Sequence, residues 1–263
     1  MNKIEKLRKI LKGMGSLLIA YSGGADSTLL LVVARDVLQD RVLAVTADSP
    51  AYPPEEMAFA KKTAKALGAR HLIIKTRELK DKNFVNNPPQ RCYFCKKGLF
   101  RRLQEIALKS KLNFVADASN ISDRQDHRPG NQAKREFKVR SPFQEAGFTK
   151  QDIRKLSKKL GLGTWNKPAL ACLASRIPYG TRITPALLKR INSAERGLKE
   201  LGFKQVRLRH YNGLCRIEVS KNDIPALIGK RAAVVRNLKK LGYNYITLDL
   251  EGYRSGSLNR AIK

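Results

Sequence analysis

Two groups of residues in this chain are equipped for chemistry: a glycine-rich turn and a small set of thiols. The turn is Ser22-Gly23-Gly24-Ala25-Asp26-Ser27. Paired glycines let the backbone curl until successive N–H groups point inward. A helix starting directly behind the turn adds unpaired donors and partial positive charge, a setting that suits phosphate. The turn has neither the Gly-Lys-Ser/Thr ending of a Walker loop nor the G-x-G-x-x-G of a dinucleotide fold. The thiols are Cys92, Cys95, Cys172 and Cys215. They are too few for a disulfide scaffold at this length and point to metal, redox or nucleophilic use in a reducing compartment. Cys92-x-x-Cys95 by itself permits zinc, an iron–sulfur cluster or a redox pair, but no second pair or close His pair completes a four-ligand zinc set. Lys96, Lys97, Arg101 and Arg102 beside it favour thiolates and anionic ligands. Cys172 stands among small residues ahead of Arg176, a setting equally open to a buried core cysteine.

Hydrophobic patterning supplies the elements that position these groups. Residues 16–21 read as a short buried strand, and an apolar helix follows the turn at 28–34. A second strand at 41–47 ends at Asp48-Ser49, where a doubly wound sheet places ligand contacts. A helix with proline at its start covers 55–67, and a third strand covers 70–75 with His71 to Ile74 as its buried stretch. A fourth strand at 113–116 delivers a polar loop, Asp117 to Gly130, at the same edge as the turn. Alternating strands and helices predict an α/β fold with a parallel sheet. Thr149 and Asp152 have capping-box spacing before a helix at 153–160.

Residues 161–168 mark a boundary between a first domain, 1–165, and a smaller α+β domain, 166–263. The second domain begins with a helix capped by Thr184-Pro185, from which Glu195 and Arg196 project. A hairpin turns at Asn212-Gly213, with Cys215, Ile217 and Val219 on the core face and Arg216 and Glu218 opposite. A helical stretch at 225–241, a strand at 245–250 and a flexible polar tail at 251–257 complete it.

The net charge of +31, from 53 Lys+Arg against 22 Asp+Glu, calls for an anionic partner, either nucleic acid or a nucleotide. A solvated basic surface is the simpler alternative. Residues 1–11 read as a charged amphipathic helix with Ile4, Leu7, Ile10 and Leu11 on one side, not as a secretory or membrane segment. A cytoplasmic chain with no membrane partner is expected.

The strand followed by S-G-G-x-D-S resembles the pyrophosphate loop of the N-type ATP pyrophosphatases (the PP-loop superfamily), which split ATP between its α and β phosphates. Further motifs are P-x-R-C-x-x-C-K at 89–96, N-x-x-D-x-x-D-x-R-P-G at 120–130, C-L-A-S-R-I-P-Y-G at 172–180 and G-Y-R-x-G-S-L-N at 252–259. With them, nearly the whole chain resembles the LarE-type ATP-dependent sulfur transferases, which make the nickel-pincer nucleotide cofactor of lactate racemase. The resemblance implies a PP-loop domain that uses ATP and Mg2+, with pyrophosphate at Ser22, Gly23, Gly24, Asp26 and Ser27. Adenosine would lie against Ala47, Asp48 and Ser49, with Asn120 and Asp123 near the nucleotide and Asp26 and Asp123 on the metal. Ser119 stands where relatives carry glycine.

The implied substrate is a pyridinium biscarboxylic acid mononucleotide, with Lys96, Arg176, Arg207 and Arg209 as candidates for its phosphate. Glu195 and Glu218 match acidic positions of a second, possible metal site. Cys172 matches the active cysteine. In one version of the family that cysteine gives up its own sulfur and becomes dehydroalanine. In the other, three cysteines hold a 4Fe-4S cluster whose open iron carries a sulfide. Possession of Cys92, Cys95 and Cys172 favours the cluster version here. Sulfide or another sulfur donor, and a homo-oligomer, are expected. The rival readings are a tRNA thiolation enzyme of the same superfamily, which the positive charge would suit, and a non-catalytic nucleotide-binding protein.

Overall fold

A strand covered on both faces must be apolar throughout, and Leu17–Ala20 (β1) meets that condition, with Leu17, Leu18 and Ile19 fully buried. The computed structural model describes residues 1–125, 129–168 and 171–254. In it, β1 pairs in parallel with Val42–Asp48 (β2) on one side and Phe114–Ala116 (β4) on the other. His71–Lys75 (β3) completes a four-stranded parallel sheet of order β3-β2-β1-β4. The Tyr21 N–H donates to Val45 O at 2.8 Å, so sheet pairing continues one residue beyond β1 and fixes where the glycine turn begins.

The helices of this part are α1 (Lys3–Met14), α2 (Ala25–Leu38), α3 (Pro54–Ala66), α5 (Arg91–Lys109), α6 (Gly130–Glu136), α7 (Pro142–Ala146) and α8 (Lys150–Lys159). Between α3 and α5 comes the one-turn α4 (Lys82–Val85). Alternation along β1 sends Leu17 and Ile19 into a core with Leu7, Leu30, Ala60, Phe143 and Ile153. Leu18 goes into an opposite core with Phe100, Leu103 and Ala133. Helices therefore cover both faces, as a parallel sheet requires.

The third strand departs from expectation. Only Ile74 is buried, while Leu72 and Ile73 are 40% and 38% exposed, because β3 is the sheet's edge and is paired on one side alone.

The chain divides into two compact units, one made of Met1–Glu78 and Gln90–Leu170, the other of Leu79–Pro89 and Ala171–Lys263. The second contains α9 (Pro185–Glu200), β5 (Val206–Tyr211), β6 (Leu214–Val219), α10 (Ile224–Gly229), α11 (Arg231–Lys240) and β7 (Tyr245–Leu248). Strands β5 and β6 form the hairpin, with Asn212 at φ +56°, and β7 adds to β6 in parallel. The expected single helical stretch is two helices that break at Lys230. Cys215 is fully buried with Leu208, Ile217 and Val219, and burial pushes its thiol up to about 12.

The segment 79–89 is stapled into this unit by Asn87. Its side-chain amide donates to Pro178 O at 2.7 Å and Thr181 O at 3.0 Å, and its backbone carbonyl accepts from the Gly180 N–H at 3.0 Å. Of the expected flexible tail, Tyr253 is tied to β6 by its N–H to Val219 O at 2.7 Å. Asp126 to Arg128, Ala169-Leu170 and residues 255–263, which take in parts of the motifs at 120–130 and 252–259, lie outside the described residues. Among the described residues no helix is long and apolar enough to cross a membrane.

Candidate functional site

Sheet and helix meet at the glycine turn. Gly24 caps α2 in extended geometry with no side-chain acceptor on the first turn, so the helix's leading N–H groups are offered to an anion. The hydroxyls organise the turn from within. Ser22 Oγ and Ser27 Oγ are 3.1 Å apart, and Ser27 Oγ also lies 3.3 Å from Gly24 O. Gly23 has φ +69°, and a Cβ there would fall 2.8 Å from both Cα and Cβ of Ala60 on α3. Left-handed backbone costs an L side chain about 1–2 kcal/mol before any clash. Gly23→Ala is therefore expected to weaken ATP binding by ~10-fold or more, since each 1.4 kcal/mol is tenfold. Calorimetric titration with ATP, beside a melting curve to confirm folding, checks it.

Asp26 follows on the first turn of α2. Lys150 Nζ, at the start of α8, lies 2.8 Å and 2.6 Å from its two carboxylate oxygens. Burial raises the Asp26 carboxyl above its ordinary value and Asp123 adds to the rise, while Lys150 and Arg154 oppose it. Asp123 Oδ2 accepts the Asn120 N–H at 2.9 Å, and Asn120 Oδ1 accepts the Ser122 N–H at 2.9 Å. Asn120, buried to 1% exposure, thus shapes the loop that presents Asp123. Lys167 Nζ stands 2.7 Å from Glu56 and 3.4 Å from Gly23 O, bringing a second lysine to the turn.

At the end of β2, Asp48 is exposed and Ala47 half-buried. Ser49 is buried, its hydroxyl bonded to Glu78 and accepting the Ala51 N–H. Asp117, at the end of β4, is nearly fully buried. Burial works to raise its carboxyl, but Lys134 at 3.1 Å, Lys96, Ser141 and Ser119 outweigh it and hold the group below the ordinary value. Lys96 lies along Gly130, where an added Cβ would fall 2.5 Å from its Cδ.

In the second unit, half-buried Cys172 opens the short 3-10 turn Leu173–Arg176, its carbonyl accepting the Ser175 N–H at 2.9 Å. Arg176 Nη1 donates to the carbonyls of Ala171 at 2.7 Å and Cys172 at 3.0 Å. Its Nε and Nη2 grip Glu195 at 2.8 and 3.0 Å. Glu195 also accepts the Leu208 N–H at 3.0 Å. Arg209 repeats the pattern, with Nε and Nη2 on Glu218 at 2.8 and 2.9 Å and Nη1 on Ser175 O at 2.6 Å. Two buried arginines, each held bidentately by a buried glutamate, fasten the backbone that carries Cys172. Glu195 thus does not project into solvent, where its place beside Arg196 had put it. Arg207, pushed below its ordinary value by burial and by Arg176, stacks 5.3 Å from the Tyr253 ring.

Comparison with known proteins accounts for both halves. The Asparagine synthase family model matches residues 11–93, which hold the glycine turn. A pyridinium-3,5-bisthiocarboxylic acid mononucleotide synthase of Lactiplantibacillus plantarum is 41% identical over 253 residues, 96% of this chain and 92% of that protein. The chain belongs to the LarE-type family of PP-loop enzymes. Uncharacterized proteins of Synechocystis, 43% identical over 99% of this chain and 98% of theirs, and of Methanocaldococcus jannaschii, 30% identical over 97% and 98%, are also similar to it.

In this LarE-type chain Cys92 and Cys95 stand one helical turn apart at the start of α5, both half-buried. Cys172 is carried by the second unit. Among the described residues no three His, Cys, Asp or Glu side chains group as a metal site. Of the two carboxylates expected on a metal, Asp123 lies near enough to Asp26 to push its carboxyl up, and Asp26 is held by Lys150. Lys150, Lys167 and Asn87 were not singled out in the sequence. The capping box located the helix on which Lys150 stands, but nothing local links Lys150 to a carboxylate 124 positions away.

Proposed function

We propose that this chain binds ATP at Ser22–Ser27, transfers the adenylyl group to a carboxylate of a pyridinium biscarboxylic acid mononucleotide, and converts the acyl adenylate to a thiocarboxylate with sulfur delivered at Cys172. The observation that carries the proposal is the backbone clamp on Cys172, in a chain 41% identical to a bisthiocarboxylic acid mononucleotide synthase. A carboxylate oxygen leaves poorly; as AMP it leaves well, and the turn's amides hold the pyrophosphate released in forming that adenylate. Asp26 and Asp123 would hold Mg2+, which offsets charge on the transferring phosphoryl group when bound. Ala47, Asp48, Ser49 and Asn120 are assigned to the nucleotide's surroundings.

Arg176 and Arg209 have each guanidinium nitrogen engaged within the protein, and we assign them, with Glu195 and Glu218, to fixing the Cys172 loop in place of a phosphate or second metal site. Lys96 and Arg207 remain the phosphate candidates. The finer assignment of a 4Fe-4S cluster to Cys92, Cys95 and Cys172 is supported by the half-buried Cys92–Cys95 pair with lysines beside it.

The test is an anaerobic incubation of the protein with ATP, Mg2+, sulfide and the mononucleotide, read by mass spectrometry. The expected products are pyrophosphate, AMP and the thiocarboxylate, with iron bound and the protein's mass unchanged after turnover. Loss of the elements of hydrogen sulfide from Cys172 with no bound iron would replace the cluster by the sacrificial route. Salt-sensitive binding of bulk tRNA with tRNA-dependent pyrophosphate release would replace the acceptor by RNA.

A further inference from the structure

Of the motif at 252–259, Gly252, Tyr253 and Arg254 lie among the described residues. They follow β7 through a turn that is tied down along its length. The Asp249 N–H donates to Ile217 O on β6 at 2.9 Å, Asp249 Oδ1 accepts the Glu251 N–H at 2.9 Å, and the Gly252 N–H returns to Asp249 O at 3.0 Å. Gly252 has φ +71°, and a Cβ there would fall 3.0 Å from Val219 O, so the turn needs glycine to lie this close to β6. The Tyr253 N–H donates to that same Val219 O at 2.7 Å. Fixed in this way to β6, Tyr253 brings its ring 5.3 Å from the guanidinium of Arg207 on β5.

Arg207 is itself buried, in a group where three buried arginines stand with two buried glutamates, Glu195 and Glu218. Those glutamates are gripped bidentately by the other two arginines, Arg176 and Arg209. Burial, Arg176 and Arg209 act against the charge on Arg207, while Glu195 and Tyr253 act in its favour. We propose that Tyr253 is a positioning residue for Arg207, its ring holding the guanidinium in the orientation that receives the phosphate of the mononucleotide. The inference rests on the substrate reading above, in which Arg207 is a phosphate candidate. A carboxylate in place of the ring would also favour the charge, but it would take N–H donors from the guanidinium edge and repel a phosphate. An aromatic face attracts the cation through its quadrupole and consumes none of those donors. The Arg207 Nη1 bond to Val206 O at 2.9 Å adds a second tether, from the backbone of β5.

The experiment is calorimetric titration of the full chain with the pyridinium biscarboxylic acid mononucleotide and with the riboside that lacks its phosphate. Wild type, Tyr253→Phe, Tyr253→Leu, Tyr253→Ala, Arg207→Met and the double variant Arg207→Met with Tyr253→Ala are compared, with melting curves for each. Tyr253→Leu and Tyr253→Ala are expected to bind the mononucleotide about 10-fold more weakly, the scale of a desolvated cation–π contact, and to bind the riboside as the wild type does. Tyr253→Phe keeps the ring face and should stay within about twofold of the wild type on both ligands. Arg207→Met should lose the preference for the phosphate-bearing ligand, and adding Tyr253→Ala to it should cost nothing further. A residue that only closes the turn over the sheet would be replaced by leucine without loss, or would weaken both ligands alike when removed. Either result overturns the proposal and leaves Arg207 as the phosphate ligand. A wild type that binds the two ligands equally removes Arg207 from the phosphate, and the proposal with it, while ATP binding at the glycine turn still stands.

Discussion

Cys172→Ala is expected to leave adenylation intact and to abolish thiocarboxylate formation, a loss on the order of 10^3-fold or greater, because both routes to sulfur delivery need this thiol, as a cluster ligand or as the sulfur source. The separation follows from what the substitution touches. The Ser175 and Arg176 contacts at this position go to the Cys172 carbonyl, which alanine keeps, so the loop retains its clamp and only the sulfur is lost. The ATP turn belongs to the other compact unit and keeps every contact described for it. Pyrophosphate release and product mass, measured in one reaction, separate the two half-reactions. Undiminished thiocarboxylate from Cys172→Ala would end the assignment of sulfur delivery to this residue. A labelling control accompanies it: iodoacetamide should modify half-buried Cys172 well before Cys215, whose thiol is fully buried and held up to about 12.

Glu195→Ala is expected to cost about 3–5 kcal/mol, the usual penalty for stripping one partner from a buried ion pair, and to unfold the second unit in much milder denaturant. Arg176 is 1% exposed, so its charge cannot turn to water when the carboxylate is gone, and the Leu208 N–H loses its acceptor at the same time. Glu195→Gln keeps an acceptor for Leu208 but not the charge pairing, and should fall between. The double variant Glu195→Ala with Arg176→Met removes the orphaned charge and should recover part of the stability lost. Urea titration of the four proteins checks the series. A single variant as stable as the wild type would show that the pair contributes nothing to this unit. Because Arg176 also holds the Ala171 and Cys172 carbonyls, the Gln variant, where folded, is expected to slow sulfur transfer more than adenylation.

The features legible in the sequence were those set by neighbours along the chain. The apolar run at Leu17–Ala20, the glycines behind it and the apolar start of α2 specified strand, turn and helix, since strand burial, positive φ and helix initiation are decided within a few residues. Asn212-Gly213 specified the hairpin, and period-two alternation placed Cys215 in the core. The motif strings from the Ser22 turn to residues 252–259 carried the family resemblance, which a relative 41% identical over 96% of the chain bears out.

What only the tertiary structure decided was partnership. The sequence offers 53 cationic side chains and 22 carboxylates, and nothing local says that Lys150 meets Asp26, that Lys167 reaches Gly23, or that Glu195 turns inward to Arg176 and leaves its neighbour Arg196 outside. Strand order likewise made β3 an edge and left Leu72 and Ile73 exposed, although their types suit a core. Side-chain type and periodicity act over a few residues. The choice of a charge's partner is settled by packing between segments from 19 to 144 residues apart, where burial makes an unpaired group costly and so selects the pairings found.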